Sequence, residues 1–584
     1  MADTAGDVLV QTLIDWGVEV VFGIPGDGIN GVIESLRKRK DEIRYIQVRH
    51  EESAAFAACG YAKWTGKLGV CISTSGPGGI HLLNGIYDAK LDCQPVLAIT
   101  GLQFHDLLST HTQQDVELDK LFMDACAYSA RIMGPAHTAN VVELACRTAL
   151  AYRQPTHVTI PVDVQSMPVK NAPRSKRNIP HHVSEMMAHG GYLPDSKQLR
   201  AAADILNNAE KPFILAGRGA IGASRELEEM ADKLGAPVGT ALLGKGALAD
   251  TSPFATGGVG LLGTRPSQEA FEDCKTLLIV GSTFPYIEFY PKPGAARAVQ
   301  IDLDPKRIGL RYPVEAGLVG DSALVLRELL PLVNRNNDRG HLEGAQAAMK
   351  QWRELLEDRG TRRDRPMKPQ VVTHELNKLI DDDAILITDS GTITTWTARH
   401  VEMRGDMKFS CSGTLASMAC GLPYAIAAAV AYPERQVIAV VGDGSASMLM
   451  GDIVTLRKYG LNVKLIVVKN DVLGQIKWEQ MVFLGNPEYV CELEPIDFTK
   501  VAEACGVAAV RIEEAERCGE QLRDALARNG PCLIEAIVDP HEPPTPPKIE
   551  ARQALNFAKS LIGGTPNAGK IALTVASDTV RELV

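Results

Sequence analysis

No uninterrupted apolar stretch in this sequence reaches the roughly 18 residues that a bilayer-crossing helix requires. The longest candidate, Gly421 to Tyr432, is short and alanine-rich, so nothing in the chain is expected to span a membrane. The N-terminus, Met1-Ala2-Asp3-Thr4, lacks the basic and then apolar layout of a signal peptide. The 12 cysteines are scattered, without CxxC pairs or His/Cys ligand spacing. That excludes a cysteine-based zinc centre and a disulfide framework, and a reducing cytoplasm is the expected compartment. Long basic runs are missing too: net charge is −10, and the clusters stay as short as Arg362-Arg363-Asp364-Arg365. Nucleic acid is therefore excluded as a partner.

What is present is 584 residues with 45% hydrophobic composition, enough for about three domains with real cores. Apolar runs of strand length alternate with amphipathic stretches: Val20 to Gly23, Leu68 to Ser73, Val96 to Thr100, Val158 to Pro161, Phe213 to Ala216, Leu277 to Gly281 and Val299 to Asp302. This rhythm predicts parallel α/β domains. Met167 to Pro194, rich in proline, histidine and lone charges, and the charged stretch Asn334 to Pro369 read as linkers. They divide the chain into domains over 1–166, 190–340 and 368–545, with a tail over 546–584.

The most informative local pattern is Gly442-Asp443-Gly444 after the run Val437 to Val441, with Asn470 after the run Val463 to Val468. The segment Ser447 to Tyr459 is long enough for a crossover helix, so both side chains are expected at one rim of a parallel sheet. A carboxylate, an amide oxygen and a loop carbonyl suit a hard divalent cation and leave positions free for diphosphate oxygens. Small residues at Gly444, Ser445 and Ala446 allow backbone amides to approach phosphates. An ordinary glycine turn would carry the same residues. Likewise Glu51, in Arg49-His50-Glu51-Glu52-Ser53 before an alanine-rich run, reads locally either as a solvated first-turn charge or as a functional acid.

Taken together, His50-Glu51-Glu52, Ser75-Gly76-Pro77-Gly78-Gly79, Gln114-Asp115 and the Asp443/Asn470 pair resemble thiamine-diphosphate enzymes of the pyruvate oxidase and acetolactate synthase superfamily, over roughly residues 5 to 545. The resemblance implies an α/β fold of three consecutive doubly wound parallel-sheet domains: pyrimidine-binding, central FAD-type and diphosphate-binding. It implies thiamine diphosphate and Mg2+, with Asp443, Asn470 and the Val472 backbone as metal ligands. Glu51 is implied as the acid facing the aminopyrimidine ring, and Met418 as the side chain under the cofactor's bend. Gln114, Gln475, Ile476 and Glu479 would line the substrate pocket. Pro25, Gly26, Gly78, Asn84, Gly391, Ala416, Gly444, Ser445 and Gly474 would contact the cofactor. Pyruvate oxidases commonly carry aromatic residues where Gln113 and Gln475 stand, so this pocket is expected to be more polar.

In the central domain, Gly217-Arg218-Gly219-Ala220, Thr240 with Gly244-Lys245-Gly246, Gly281 to Tyr286 and Asp302-Leu303-Asp304-Pro305 each end a strand where a nucleotide would bind. By resemblance the nucleotide is FAD, with contacts from Gly217, Gly219, Thr240, Lys245, Ser282, Thr283, Asp302 and Asp321. The implied activity is decarboxylation of a 2-oxo acid, pyruvate by default, with oxidation through FAD to an acetyl product. An acetolactate-forming carboligase, a non-oxidative decarboxylase and a non-catalytic scaffold are the alternatives. The implied assembly is a homotetramer built from dimers, with each site between two subunits. The electron acceptor could be a quinone, reached at the inner face of a membrane. The tail sets Leu555, Phe557, Leu561 and Ile562 beside Arg552 and Lys559 until Gly563-Gly564 interrupts, and it is expected as a solvent-facing helix.

Overall fold

Short runs rich in Val, Ile and Leu, buried on both faces, suit parallel strands flanked by helices, and three such six-stranded sheets form the chain. A computed structural model describes residues 3–171, 173–178, 192–547 and 551–583. In the first sheet the strands lie in the order Arg44–Gln47, Val20–Gly23, Gly69–Ser73, Val96–Leu102, Thr156–Pro161, Tyr128–Arg131. In the third the order is Lys408–Ser410, Ile385–Thr388, Val437–Gly442, Val463–Lys469, Cys532–Ile537, Ala508–Ile512. Counted within its own domain, each sheet is wound 2-1-3-4-6-5. The chain thus uses one topology twice.

The central sheet runs Ala255–Gly258, Val238–Thr240, Pro212–Ala216, Thr276–Val280, Arg297–Asp302, Ala316–Val319, which is 3-2-1-4-5-6 in its own count. Dinucleotide-binding sheets are wound in that order. Every neighbouring pair in the three sheets is parallel, as the alternating pattern of the sequence predicts. Each sheet also has a switch point, where winding reverses between its first strand and the next strand on the other side. Ligands of such sheets bind in the crevice beyond the strand ends at that point.

The first and third domains share one core. Helix Glu51–Thr65 packs on helix Gly421–Ala431, and both are alanine-rich so that the backbones come close. A Cβ on Gly60 would lie 3.1 Å from the Tyr424 Cα. The alanine run that stood out as the longest apolar stretch is this interior helix. A polar seam crosses the same interface: Lys63 Nζ bonds Asp92 Oδ2 at 2.7 Å and the Cys411 carbonyl at 2.6 Å. Asp92 also accepts the amides of Gly413 and Thr414 at 2.9 and 2.8 Å. Burial would raise the Asp92 carboxyl, but Lys63 outweighs it and holds the group below its ordinary range. Asp92→Asn is expected to strand a buried ammonium and cost about 3 kcal/mol, read as a lower urea midpoint with an unchanged slope.

The tail departs from expectation. Helix Ala551–Ile562 forms and ends where Gly563-Gly564 interrupts, but one face is docked. The Phe557 ring lies 6.2 Å from that of Trp478, and Asn556 Nδ2 donates to the Phe483 carbonyl at 2.8 Å. Ile571 of the next helix closes a small cluster with Trp478 and Met481. Arg362 holds Asp578 at 2.6 Å. Leu555 and Ile562 stay exposed. Periodicity reveals an apolar face; it does not reveal what the face meets. No helix among the described residues is long and apolar enough to cross a membrane.

Candidate active site

Next to the switch point of the third sheet, where strand Val437–Gly442 pairs with strand Val463–Lys469, the register sets Gly442 opposite Val468, so the next residues leave the sheet side by side. Asp443 Oδ2 accepts the amide of Asp471 at 2.8 Å, and Asn470 Oδ1 accepts that of Val472 at 3.1 Å. Asp443 is 6% exposed. Burial pushes its carboxyl up to about 6, opposed by the Asp471 amide. Among the described residues no lysine or arginine forms an ion pair with it. Asp471 and Ala416, with φ of 55° each, and Ala419 at 75° hold left-handed backbone around this rim. Strain of this kind costs about 1–3 kcal/mol per residue and is usual where a ligand site is pre-shaped.

Gly444 stands where even a Cβ would be crowded, 3.2 Å from both Met418 Cε and Leu473 Cδ2. Met418 therefore leans on the glycine turn. Its loop is pinned by Ser390 Oγ, which donates to the Ser417 carbonyl at 3.0 Å. Asp389, which sequence reasoning missed, accepts the amides of Ser390 and Gly421 at 2.8 and 2.9 Å and so ties two sides of the rim together. Burial drives its carboxyl to about 6. Its only sequence signal was an acid directly after a strand, in Thr388-Asp389-Ser390-Gly391.

These groups open onto a cavity of about 1350 Å3 that continues into the central domain. Its wall includes Gly391, Ala416, Met418, Asp443, Gly444, Ser445, Asn470, Val472, Gly474, Gln475, Ile476 and Glu479 at one end, and Gly217, Gly219, Ser282, Thr283 and Asp302 at the other. The central end is the switch point of the 3-2-1-4-5-6 sheet. There two glycine turns interlock: a Cβ on Gly217 would lie 2.3 Å from the Gly281 carbonyl, and one on Gly281, at φ 56°, 2.5 Å from Gly219. Burial raises the Asp302 carboxyl. Arg218 and Arg307, also on the wall, flank Cys93, whose carbonyl accepts from Arg218 at 3.3 Å.

Three candidates stand off the wall. Lys245 is buried against Asp250 at 2.8 Å, Asp321 caps helix Ser322–Leu329, and Thr240 lies within its strand. A second group lies at the switch point of the first sheet, outside the cavity of its own chain. Glu51 opens helix Glu51–Thr65, and a Cβ on Gly78 would lie 3.2 Å from its Oε1. Gln114, at φ 57°, accepts from Ser75 Oγ at 2.6 Å and packs on Gly76. Gly26 packs on Thr74, and Pro25 is exposed beside it. Asn84 is turned into the domain seam, where its Nδ2 donates to Glu52 at 2.6 Å and Ser417 at 2.9 Å.

Residues 3–123 match the thiamine pyrophosphate enzyme N-terminal TPP binding domain, 199–329 the central domain and 389–536 the C-terminal TPP binding domain. The protein YdaP of Bacillus subtilis (strain 168) is 41% identical over 559 residues, covering 96% of each chain. The pyruvate oxidase of Lactiplantibacillus plantarum is 32% identical over 95% of this chain and 92% of its own. The acetolactate synthase of Arthrospira platensis is 30% identical over 92% and 94%.

Proposed function

The chain belongs to the thiamine pyrophosphate enzyme family, and from that premise we propose that it decarboxylates a 2-oxo acid, pyruvate by default, and passes the electrons to a bound FAD. The observation that carries this reading is continuity: one cavity joins the Asp443/Asn470 rim to the glycine crevice of the central sheet. Thiamine diphosphate, when bound, supplies a carbon nucleophile and electron sink for the 2-oxo acid, and FAD supplies a two-electron acceptor.

The residues fit both groups. Asp443 is a buried carboxylate with no lysine or arginine ion pair among the described residues, and with the neighbouring Asn470 amide oxygen it offers two hard oxygen ligands that suit Mg2+. Gly444 and Ser445 lie in the first turn of helix Asp443–Met448, whose amides suit a diphosphate. In the central crevice, bare glycine turns and Arg218 suit a dinucleotide pyrophosphate. Gln475 Nε2 donates to Glu479 Oε1 at 3.1 Å, and both face the cavity, while Lys477 turns away onto Glu488 at 2.8 Å. We assign Gln475, Ile476 and Glu479 to the substrate. Glu51 lies off the cavity of its own chain, which supports a site completed by the partner protomer's first domain within a homo-oligomer.

Anaerobic mixing of the purified protein with thiamine diphosphate, Mg2+ and pyruvate tests the reading. Prompt bleaching of the flavin spectrum is expected. A flavin that stays yellow while acetolactate accumulates would make the chain a carboligase, and acetaldehyde without flavin a plain decarboxylase. Gly281→Ala, which drives a methyl into Gly219, is expected to purify with little or no flavin, read as flavin absorbance per protein.

A further inference from the structure

The reading above leaves one cluster unused: the imidazoles beside Glu51. His81 Nδ1 lies 3.0 Å from Glu51 Oε2. The His50 ring stacks on that of His81, with centroids 4.6 Å apart, and its Nδ1 accepts the Glu52 amide at 3.1 Å. His50 is thereby committed to capping its helix. Among the described residues, His81 is the one side chain hydrogen-bonded to the Glu51 carboxyl. The Glu51 side chain is 14% exposed and that of His81 46%. Within a single chain, a sheltered acid thus touches a base that reaches the surface.

Resting on the assignment of Glu51 as the acid that meets the cofactor, we propose that His81 is its positioning residue, fixing the carboxyl through Nδ1 and exchanging its proton with solvent through Nε2. An imidazole can donate Nδ1–H to a carboxylate or accept the proton of a carboxylic acid, so one contact serves both states of Glu51. In the outward direction the Glu51 Oε2–H bond breaks as His81 Nδ1–H forms, and Nε2–H releases its proton to water. The reverse sequence reprotonates the carboxylate, and no net proton is consumed. The other ionisable groups nearby do not offer this path. Glu52 is bonded to Asn84, Asp452 of the third domain accepts the Arg49 amide at 2.9 Å, and burial drives the Tyr45 hydroxyl upward, away from neutral titration.

The test uses the reconstituted holoenzyme with His81→Ala, His81→Gln and Glu51→Gln. Readouts are deuterium exchange at the cofactor's acidic carbon by quenched-flow NMR, the pH profile of kcat, and thiamine diphosphate affinity by calorimetry. His81→Ala is expected to slow exchange and kcat about 100-fold, with KM and cofactor affinity unchanged, to flatten one limb of the profile, and to recover with added imidazole. His81→Gln keeps a hydrogen-bond donor without a proton path, so it is expected to hold Glu51 yet remain slow. It decides the matter if the alanine variant fails to fold. Wild-type exchange and profile in either histidine variant, with Glu51→Gln inactive, would overturn the role of His81 alone. Normal turnover in Glu51→Gln would overturn the assignment beneath it.

Discussion

Glu51→Gln is expected to leave the fold intact and lower kcat by about 10²–10⁴-fold, the usual contribution of a placed acid or base. The amide is nearly isosteric, and helix Glu51–Thr65 keeps its His50 cap. Losing one first-turn negative charge costs only about 0.5 kcal/mol. A fall in turnover without a fall in thermal midpoint therefore separates chemistry from stability. The same variant tests the assembly. Mixed dimers of Glu51→Gln and Asp443→Asn chains contain one site with both defects and one with neither, if each site draws Glu51 from one protomer and Asp443 from the other. Random mixing of the two inactive variants then restores about a quarter of wild-type activity. If the two residues met within one chain, every site in the mixture would carry a defect and no activity would return.

The fold was legible because short, valine- and isoleucine-rich runs such as Val437 to Val441 and Val463 to Val468 have strand length and β-branched composition, whereas the longer alanine-rich run Gly421 to Ala431 is a helix. The rim residues followed from the strands, since Asp443 and Asn470 come directly after them. Strand order was not legible. The repeat of 2-1-3-4-6-5 in the first and third sheets depends on pairings between distant segments. Lys245 shows a second limit: its sequence, a lysine between two glycines, does not reveal that Asp250, five residues on, accepts a hydrogen bond from its ammonium. His81 shows a third. It lies 30 residues from Glu51 and carries no motif, and only the crossing of two turns at a switch point brings them together.

Asp443→Asn should produce two effects of opposite sign. In the cofactor-free protein, burial lifts the Asp443 carboxyl from its ordinary value to about 6. Between those values the folded chain binds more protons than the unfolded one, so stability falls as pH rises through that window and is level above it. Near pH 8 the ionised group costs the empty protein about 3 kcal/mol. Asparagine removes the charge, so the empty variant is expected to melt higher than wild type at pH 8 and to match it near pH 4. With Mg2+ and thiamine diphosphate the order reverses. The wild type gains a large upward shift in thermal midpoint, because the cation supplies the charge that the carboxylate lacks, and the variant gains little. Below about pH 6 the metal must displace a proton, so wild-type Mg2+ affinity is expected to drop about tenfold per pH unit. Scanning fluorimetry from acid to alkaline pH, with and without both ligands, reads every part of this. A variant that keeps the Mg2+-dependent shift would mean that Asp443 is an ordinary turn residue and that the cation is held elsewhere.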